Sequence, residues 1–277
     1  MRPGSRVLCP LVGASNTLLL SLLALLALPG GPTLAAATSS TRPSISIAAA
    51  SDLRYAMNEL VSAFITLRPD HSIMVTYGSS GNFFAQISNG APFDVFFSAD
   101  VEYARRLEEA GHAVRGSTRL YARGRIVTWV RDSSPIDVEG SGLAAVLDPA
   151  AERVAIANPE HAPYGSAAQA ALESAGLWET VRPRIVLGEN VSQAAQFVES
   201  GAADVGLIAL SLAIAPPLHD LGRFSLVPEE LHPHIDQAAV VLGAAADPMA
   251  AAAFLDFVLG PDGRPVLDRY GFDLPEG

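Results

Sequence analysis

The sequence predicts an α/β protein of two lobes, and three observations support this fold class. Strand-like and helix-like segments alternate along the chain, which is typical of mostly parallel sheets flanked by helices. A polar loop after Val130 interrupts this alternation near the middle of the chain, and a long irregular passage, 215–234, precedes a late strand and two closing helices. We expect this passage to return the chain to the first lobe. The lobes would then comprise residues 38–124 with 236–277, and residues 125–235.

The first lobe is predicted to begin with a strand at 44–50 that continues into a helix from Asp52. Apolar residues recur on one face of that helix, at Leu53, Met57, Leu60, Val61 and Phe64. The following elements are a strand at 71–78, a short helix ending at Gly90, a strand at 93–100 and a helix at 101–111. The strand at 93–100 is apolar almost throughout, as expected of a strand buried on both faces. Ser98 or Asp100 is expected to cap the helix that follows it.

The second lobe repeats the alternation. Its predicted elements are strands at 124–130, 153–159, 184–190 and 204–210, with helices at 166–176 and 192–201. A strand at 235–243 and helices at 248–260 and 260–272 complete the chain, and we assign them to the first lobe.

The N-terminus has the features of a secretory signal peptide. Basic residues precede a leucine-rich run at 18–28, and the small residues Ala35 and Ala37 follow it. The run is shorter than the roughly 20 residues that a membrane-spanning helix needs. We therefore expect residues 1–37 to be removed, leaving a soluble periplasmic or extracytoplasmic protein. Cys9, the only cysteine, would leave with this segment.

The composition excludes several functional classes. The formal net charge is −11 at pH 7, and all 18 basic residues are arginines. An acidic exported protein without basic clusters is poorly suited to nucleic acids or anionic membranes. Without lysine, it has neither a Schiff-base nucleophile nor a Walker-type phosphate loop. Without a cysteine in the mature chain, disulfides and thiolate chemistry are also excluded.

Hydroxyl-bearing or small residues stand at four predicted strand–helix junctions. Ser51 follows the first strand and "YGSSGN", with Ser80, follows the second; "PYGS" at 163–166 and "NVS" at 190–192 occupy the other two. In α/β sheets, ligands bind at such junctions, where helix N-termini offer unpaired N–H groups and a positive dipole end. The sequence therefore predicts an anion site between the lobes.

Three neighbouring residues have simpler interpretations. Ser166 and Ser192 are expected to be N-caps, and Asp52 is expected to complement the helix dipole in the first turn.

Catalytic and metal sites find little support in the sequence. "GSSG" differs from the G-x-S-x-G of a nucleophile elbow, and the six histidines are scattered. His232 and His234 form only a two-histidine patch in a predicted loop, where solvated side chains are expected.

Five motifs resemble those of periplasmic molybdate-binding proteins of ABC importers. They are "AAASDL", "YGSSGNFFAQI", "APFDVFFSAD", "NPEHAPYG" and "GPDGRPVLDRYGF", which occur in the family's order across essentially the whole mature chain. The resemblance implies a type II periplasmic-binding-protein fold, in which two lobes joined by two crossing segments close over a tetrahedral oxyanion.

The resemblance also implies the ligands of that oxyanion. The family's hydroxyl ligands match Ser51 and Ser80, each of which also contributes its N–H, and its backbone donors match Tyr164 and Val191. Many members have a further ligand tyrosine where this sequence has Ala209. Either the Tyr164 hydroxyl replaces that donor, or its ring only packs while its N–H binds.

The function implied is capture of molybdate, and also tungstate, for delivery to the membrane subunits of an ABC permease. The protein is expected to act as a monomer, with no enzymatic activity, no cofactor and no cation site. Two alternatives remain: a receptor for sulfate or another small oxyanion, and an exported hydrolase or transferase on a related fold. A nucleophile–base pair across the cleft would favour the second alternative.

Overall fold

The computed structural model describes residues 44–275, so the predicted signal peptide lies outside the described residues. Ten strands in this range form two five-stranded sheets. They are β1 (Ser44–Ala50), β2 (Ser72–Gly78), β3 (Val95–Ser98), β4 (Arg119–Gly124), β5 (Ile126–Arg131), β6 (Val154–Ala157), β7 (Ile185–Gly188), β8 (Val205–Ala209), β9 (Gly222–Leu226) and β10 (Ile235–Val241).

The two sheets have equivalent topologies, with strand orders β2-β1-β3-β10-β4 and β7-β6-β8-β5-β9. In the first sheet β1 is parallel to β2 and β3, whereas β10 is antiparallel to β3 and β4. In the second, β6 is parallel to β7 and β8, whereas β5 is antiparallel to β8 and β9. In each sheet a single strand, β10 or β5, runs antiparallel to the other four. It is the first strand that the chain forms after leaving the other sheet. The predicted α/β class with mostly parallel sheets is confirmed.

The helices connect and cover these strands. They are α1 (Arg54–Leu67), α2 (Ser80–Ser88), α3 (Val101–Glu109), α4 (Val138–Ser141), α5 (Pro163–Ser174), α6 (Trp178–Val181), α7 (Val191–Glu199), α8 (Leu210–Ala213), α9 (Pro216–His219), α10 (Pro248–Leu259) and α11 (Arg264–Arg269). A 3-10 turn, Ser51–Leu53, joins β1 to α1. Among the described residues, no helix combines the length and apolar character needed to cross a bilayer.

The apolar periodicity of the sequence determines which helix faces pack on the sheets. α1 buries Ala56, Met57, Leu60 and Phe64, in agreement with the predicted apolar face. One core cluster lies between the first sheet and the helices α1, α10 and α11, and a second cluster involves α2 and α3. A third cluster, which includes Trp129, forms the core around the second sheet. Both faces of each sheet are thereby covered, which leaves the strand ends as the place for a ligand.

Two strands were not predicted. β4 contains Arg119 and Arg123, whose charges mask its alternation, and it pairs antiparallel with β10. β9 lies inside the passage interpreted as irregular and extends the second sheet beside β5. Arg125 alone separates β4 from β5, and residues 227–234 join β9 to β10. The lobe boundaries at residues 125 and 235 remain a prediction.

Candidate anion-binding site

Four helical starts line one small cavity between the sheets. Ser51 opens the 3-10 turn after β1, Ser80 is the first residue of α2, Tyr164 the second of α5, and Val191 the first of α7. The cavity is lined by these four residues together with Ala50, Asp52, Gly78, Ser79, Ala99, Ala162, Pro163 and Asn190. It measures about 10 Å³, near the smallest volume that can hold one water molecule, so its walls must move apart to admit a tetrahedral anion. The structure therefore brings together all four residues that the sequence suggested.

The Ser51 hydroxyl belongs to a contact between the two sheets' helices. Its Oγ accepts a hydrogen bond from the Ser192 N–H at 3.3 Å, while the Ser192 hydroxyl donates to the Ser51 carbonyl at 2.8 Å. The Ser211 hydroxyl, in α8, donates to the Asp52 carbonyl at 2.8 Å. Since Ser51 Oγ accepts, its own O–H remains to donate.

The Ser80 hydroxyl, like that of Ser51, accepts a hydrogen bond from a backbone N–H. It is fully buried, and its Oγ accepts the Ala99 N–H at 2.9 Å. It does not cap α2, because Ser79 occupies the N-cap position and makes no side-chain capping bond. The O–H of Ser80 has no acceptor among residues 44–275, which leaves it available to a ligand in the cavity.

Neither predicted N-cap serine performs that role. Ser166 lies inside α5 and donates to the Pro159 carbonyl at 2.8 Å, and Ser192 bonds Ser51 as described above. The cap of α7 is Asn190, whose Oδ1 accepts the Gln193 N–H at 3.1 Å. For α3, the predicted Asp100 cap is confirmed by a bond from the Glu102 N–H at 2.9 Å.

The Tyr164 side chain is held by buried polar groups. Its hydroxyl donates to Asp52 Oδ2 at 3.0 Å and accepts from Gln237 Nε2 at 3.1 Å. Because a phenol has one O–H, this bond leaves none for an anion. The geometry favours the interpretation in which the ring of Tyr164 packs and only its N–H remains for the ligand. No other tyrosine of residues 44–275 lines the cavity in place of the one absent at Ala209.

Asp52 is a buried carboxyl group at the cavity, and not merely the dipole complement that the sequence suggested. Its Oδ2 also accepts from Gln237 Nε2 at 2.7 Å, and Gln237 is oriented by the Tyr121 hydroxyl, which donates to its Oε1 at 2.5 Å. The second oxygen of Asp52, Oδ1, is buried and has no partner among the described residues. Burial raises the pKa of Asp52 from 3.8 to about 6, although the hydrogen bonds from Gln237 and Tyr164, and the nearby backbone N–H groups of Asp52 and Leu53, oppose this shift.

A second set of contacts closes the mouth of the cleft, and no pattern in the sequence indicated it. His161, in the turn after β6, lies with Nδ1 2.8 Å from the Ser79 hydroxyl oxygen, and its carbonyl accepts the Gly81 N–H at 2.8 Å. Asn82 donates to Glu189 Oε1 at 2.5 Å. These residues belong to elements that pack on different sheets, so the contacts hold the cleft shut.

Of the two histidines of the late loop, His234 is exposed, as expected, and only His232 differs from expectation. His232 is buried, and its Nδ1 lies 2.8 Å from the Pro233 carbonyl oxygen, to which it donates. No group of three or more His, Cys, Asp or Glu within residues 44–275 is arranged to hold a metal ion.

Comparison with known proteins adds a family and two named relatives. Residues 45–273 match the family model described as bacterial extracellular solute-binding protein, a range that contains every residue lining the cavity. The chain is 39% identical to the molybdate-binding protein ModA of Rhodobacter capsulatus over 212 residues, 76% of this chain and 81% of the relative. It is 36% identical to ModA of Azotobacter vinelandii over 230 residues, 83% of this chain and 90% of the relative.

A solved structure agrees with these matches. The periplasmic molybdate-binding protein of Azotobacter vinelandii superimposes with a TM-score of 0.78 at 32% identity, covering 84% of this chain and all of that one.

Proposed function

This chain belongs to the family of bacterial extracellular solute-binding proteins, and we propose that it captures molybdate and delivers it to an ABC permease. One observation carries the proposal. A single cavity is lined by Ser51 and Ser80, which carry hydroxyls, and by Tyr164 and Val191, which lie in the first turns of α5 and α7, and no arginine or histidine of the described residues lines it. The identities of 39% and 36% to molybdate-binding proteins support the choice of anion.

The chemistry of the donors suits molybdate. This dianion carries no proton near neutral pH, so it accepts hydrogen bonds and donates none. Phosphate keeps a proton under the same conditions, and unless the Asp52 carboxylate accepts that proton, burying the unpaired donor in a closed cleft costs about 1–3 kcal/mol. Neutral donors also allow release, because no buried cation holds the ion.

Further parts of the proposal follow from the same site. Tungstate has the charge and shape of molybdate and meets the same donors, so we propose that it binds too. We also propose that the protein acts outside the cytoplasm as a monomer, without a cofactor and without an enzymatic step.

The proposal is tested by a calorimetric and thermal-shift panel on the mature protein with molybdate, tungstate, sulfate, phosphate and citrate. Molybdate and tungstate should raise stability by roughly 4 kcal/mol at a thousandfold excess over the dissociation constant. Phosphate should have no effect at neutral pH. Equal stabilisation by phosphate would contradict the assignment, and preferential stabilisation by sulfate would establish the nearest alternative.

One observation favours a second candidate, an exported hydrolase. The Ser79 hydroxyl and His161 Nδ1, 2.8 Å apart across the cleft, resemble a nucleophile and its base. Within residues 44–275 no third group orients the imidazole by a hydrogen bond, because Glu189 Oε1 stands 3.9 Å from Nε2. The Gly81 N–H, a natural oxyanion donor, is already bonded to the His161 carbonyl. Hydrolysis of nitrophenyl esters that disappears in Ser79→Ala would support this candidate, and its absence in the wild type would exclude it for such esters.

A further inference from the structure

A carboxyl group at a cavity for a dianion presents an electrostatic problem. Asp52 is 1% exposed and lines the same cavity as Ser51 and Ser80. Two like charges in such a site repel strongly, because the dielectric response is weak and water is excluded. A site selected for an anion should therefore either lack this carboxylate or neutralise it.

Among the described residues, the side chains that bond Asp52 are all uncharged. Tyr164 of α5 and Gln237 of β10 contact Oδ2, Tyr121 of β4 lies behind Gln237, and Ser211 of α8 bonds the Asp52 backbone. The next basic residue along the chain, Arg54, lies over the Tyr77 ring with its guanidinium carbon 5.2 Å from the ring centre. Asp52 forms no ion pair with any residue in 44–275, and a proton is the remaining way to neutralise it.

We propose that Asp52 takes up one proton from solvent when the oxyanion binds, and that the neutral carboxyl then donates its O–H to an oxygen of the anion. This inference rests on the proposed function. No covalent bond of the anion changes; one proton moves from the solvent to Oδ1. The structure identifies Oδ1 as the atom because Oδ2 already accepts two hydrogen bonds while Oδ1 has no partner among the described residues.

Within residues 44–275, Oδ1 has neither a donor for its ionised form nor an acceptor for its protonated form. A bound oxyanion supplies the acceptor. A protonated Oδ1 requires an acceptor, which the oxygen of a dianion provides. An apolar, enclosed environment is known to keep a carboxylic acid neutral so that it can stabilise an oxyanion. Burial already raises the pKa of Asp52 to about 6, and a neighbouring dianion raises it further. The acid would serve as the additional side-chain donor in a site where Ala209 stands at the position of the family's further ligand tyrosine.

Proton uptake makes affinity depend on pH in a defined direction. Because the pKa of Asp52 is higher in the complex than in the free protein, binding is strongest below the free value and weakens as pH rises towards the bound value. Molybdate itself remains a dianion from pH 6 to 8. The dissociation constant should therefore increase over this interval by up to tenfold per pH unit.

The experiment is isothermal titration of molybdate into the mature protein at pH 6, 7 and 8, in paired buffers of different ionisation enthalpy. We expect uptake of up to one proton per anion at pH 7. Asp52→Asn, whose amide keeps the shape and a donor, should bind with no proton uptake and a flat pH profile. Asp236→Asn is the control: this carboxylate adjoins Gln237 but pairs with Arg123 Nε at 2.8 Å, and its loss should leave the wild-type pH profile.

The outcomes separate the inference from the function on which it rests. Molybdate binding without proton uptake in the wild type, or an unchanged pH slope in Asp52→Asn, overturns the inference and leaves the proposed function intact. Binding of neither molybdate nor tungstate at any pH overturns the proposed function, and the inference with it.

Discussion

Replacing Asp52 with asparagine should stabilise the ligand-free protein progressively as the pH rises. The folded protein holds a proton on Asp52 up to about pH 6, whereas the unfolded chain releases it near 3.8. Between these values the folded state binds more protons, so its stability falls with increasing pH. Asparagine has no titrating proton, so the free energy of unfolding of the variant does not fall with rising pH on this account.

The magnitude follows from the two pKa values. Their difference of about two pH units, at 1.36 kcal/mol for each, corresponds to about 3 kcal/mol in full. About 2 kcal/mol of this accrues between pH 4.5 and pH 8, where unfolding is accessible to measurement. The conversion needs no correction for solvent screening, because the carboxyl is completely buried.

The assay is urea unfolding of both proteins at pH 4.5, 6 and 8, with the free energy extrapolated to water. Other titrating groups act equally in the two proteins, so the difference between them isolates Asp52. Any constant cost of an unpaired amide N–H shifts the variant's curve without changing its slope. Parallel curves over the whole pH range would refute the reasoning, since they would show that Asp52 titrates alike in the folded and unfolded states.

Three further predictions concern the cavity and its mouth. Ser80→Ala should weaken molybdate binding by about 1.5–3 kcal/mol, the range for a hydrogen bond to a charged group, whereas the surface control Ser200→Ala should bind normally. If calorimetry gives Ser80→Ala the affinity of the wild type, the Ser80 hydroxyl does not contact the anion. Gly81→Ala should weaken molybdate binding at least tenfold, because the new Cβ would lie 2.6 Å from the His161 carbonyl oxygen and prevent closure of the cleft. The free energy of unfolding should change by less than about 1 kcal/mol. Wild-type affinity in this variant would show that the cleft closes differently. Tyr164→Phe should lower the free energy of unfolding of the ligand-free protein by about 1.5–3 kcal/mol at pH 8 and by less at pH 5, because the lost hydrogen bond is strongest to an ionised carboxylate. Unchanged stability together with weaker molybdate binding would instead show that the Tyr164 hydroxyl contacts the anion.

The sequence was most informative about local features. Strand–helix junctions depend on short-range patterns, and these patterns predicted that four such junctions would meet between the lobes. The family resemblance then implied Ser51, Ser80, Tyr164 and Val191 as the residues that bind there. Contacts between distant segments were not accessible in this way. The Asp52–Gln237 bond joins residues 185 positions apart, which no periodicity records.

One signal for that contact was nevertheless present. Gln237 is a polar residue inside the apolar strand "IDQAAVV", and a buried amide requires hydrogen-bonding partners. The Ser79–His161 contact offered no comparable signal, because both residues lie in polar segments where exposure is the default. The glycine at position 81 likewise gave no sign in the sequence that the His161 backbone lies close to it across the cleft.

The strand order has a consequence for how the polypeptide assembles. All strands of the second sheet come from one continuous stretch, 126–226, so its pairings can form as soon as that stretch is available. The first sheet depends on β10, the last strand to emerge, which inserts between β3 and β4 and pairs with residues more than 100 positions earlier. Such distant pairings form slowly, and unpaired strand edges are prone to aggregation until they do. During folding, β3 and β4 therefore remain without β10, the neighbour that they share, until the C-terminal segment is available. A chain that stops before residue 235 lacks the strand that joins them.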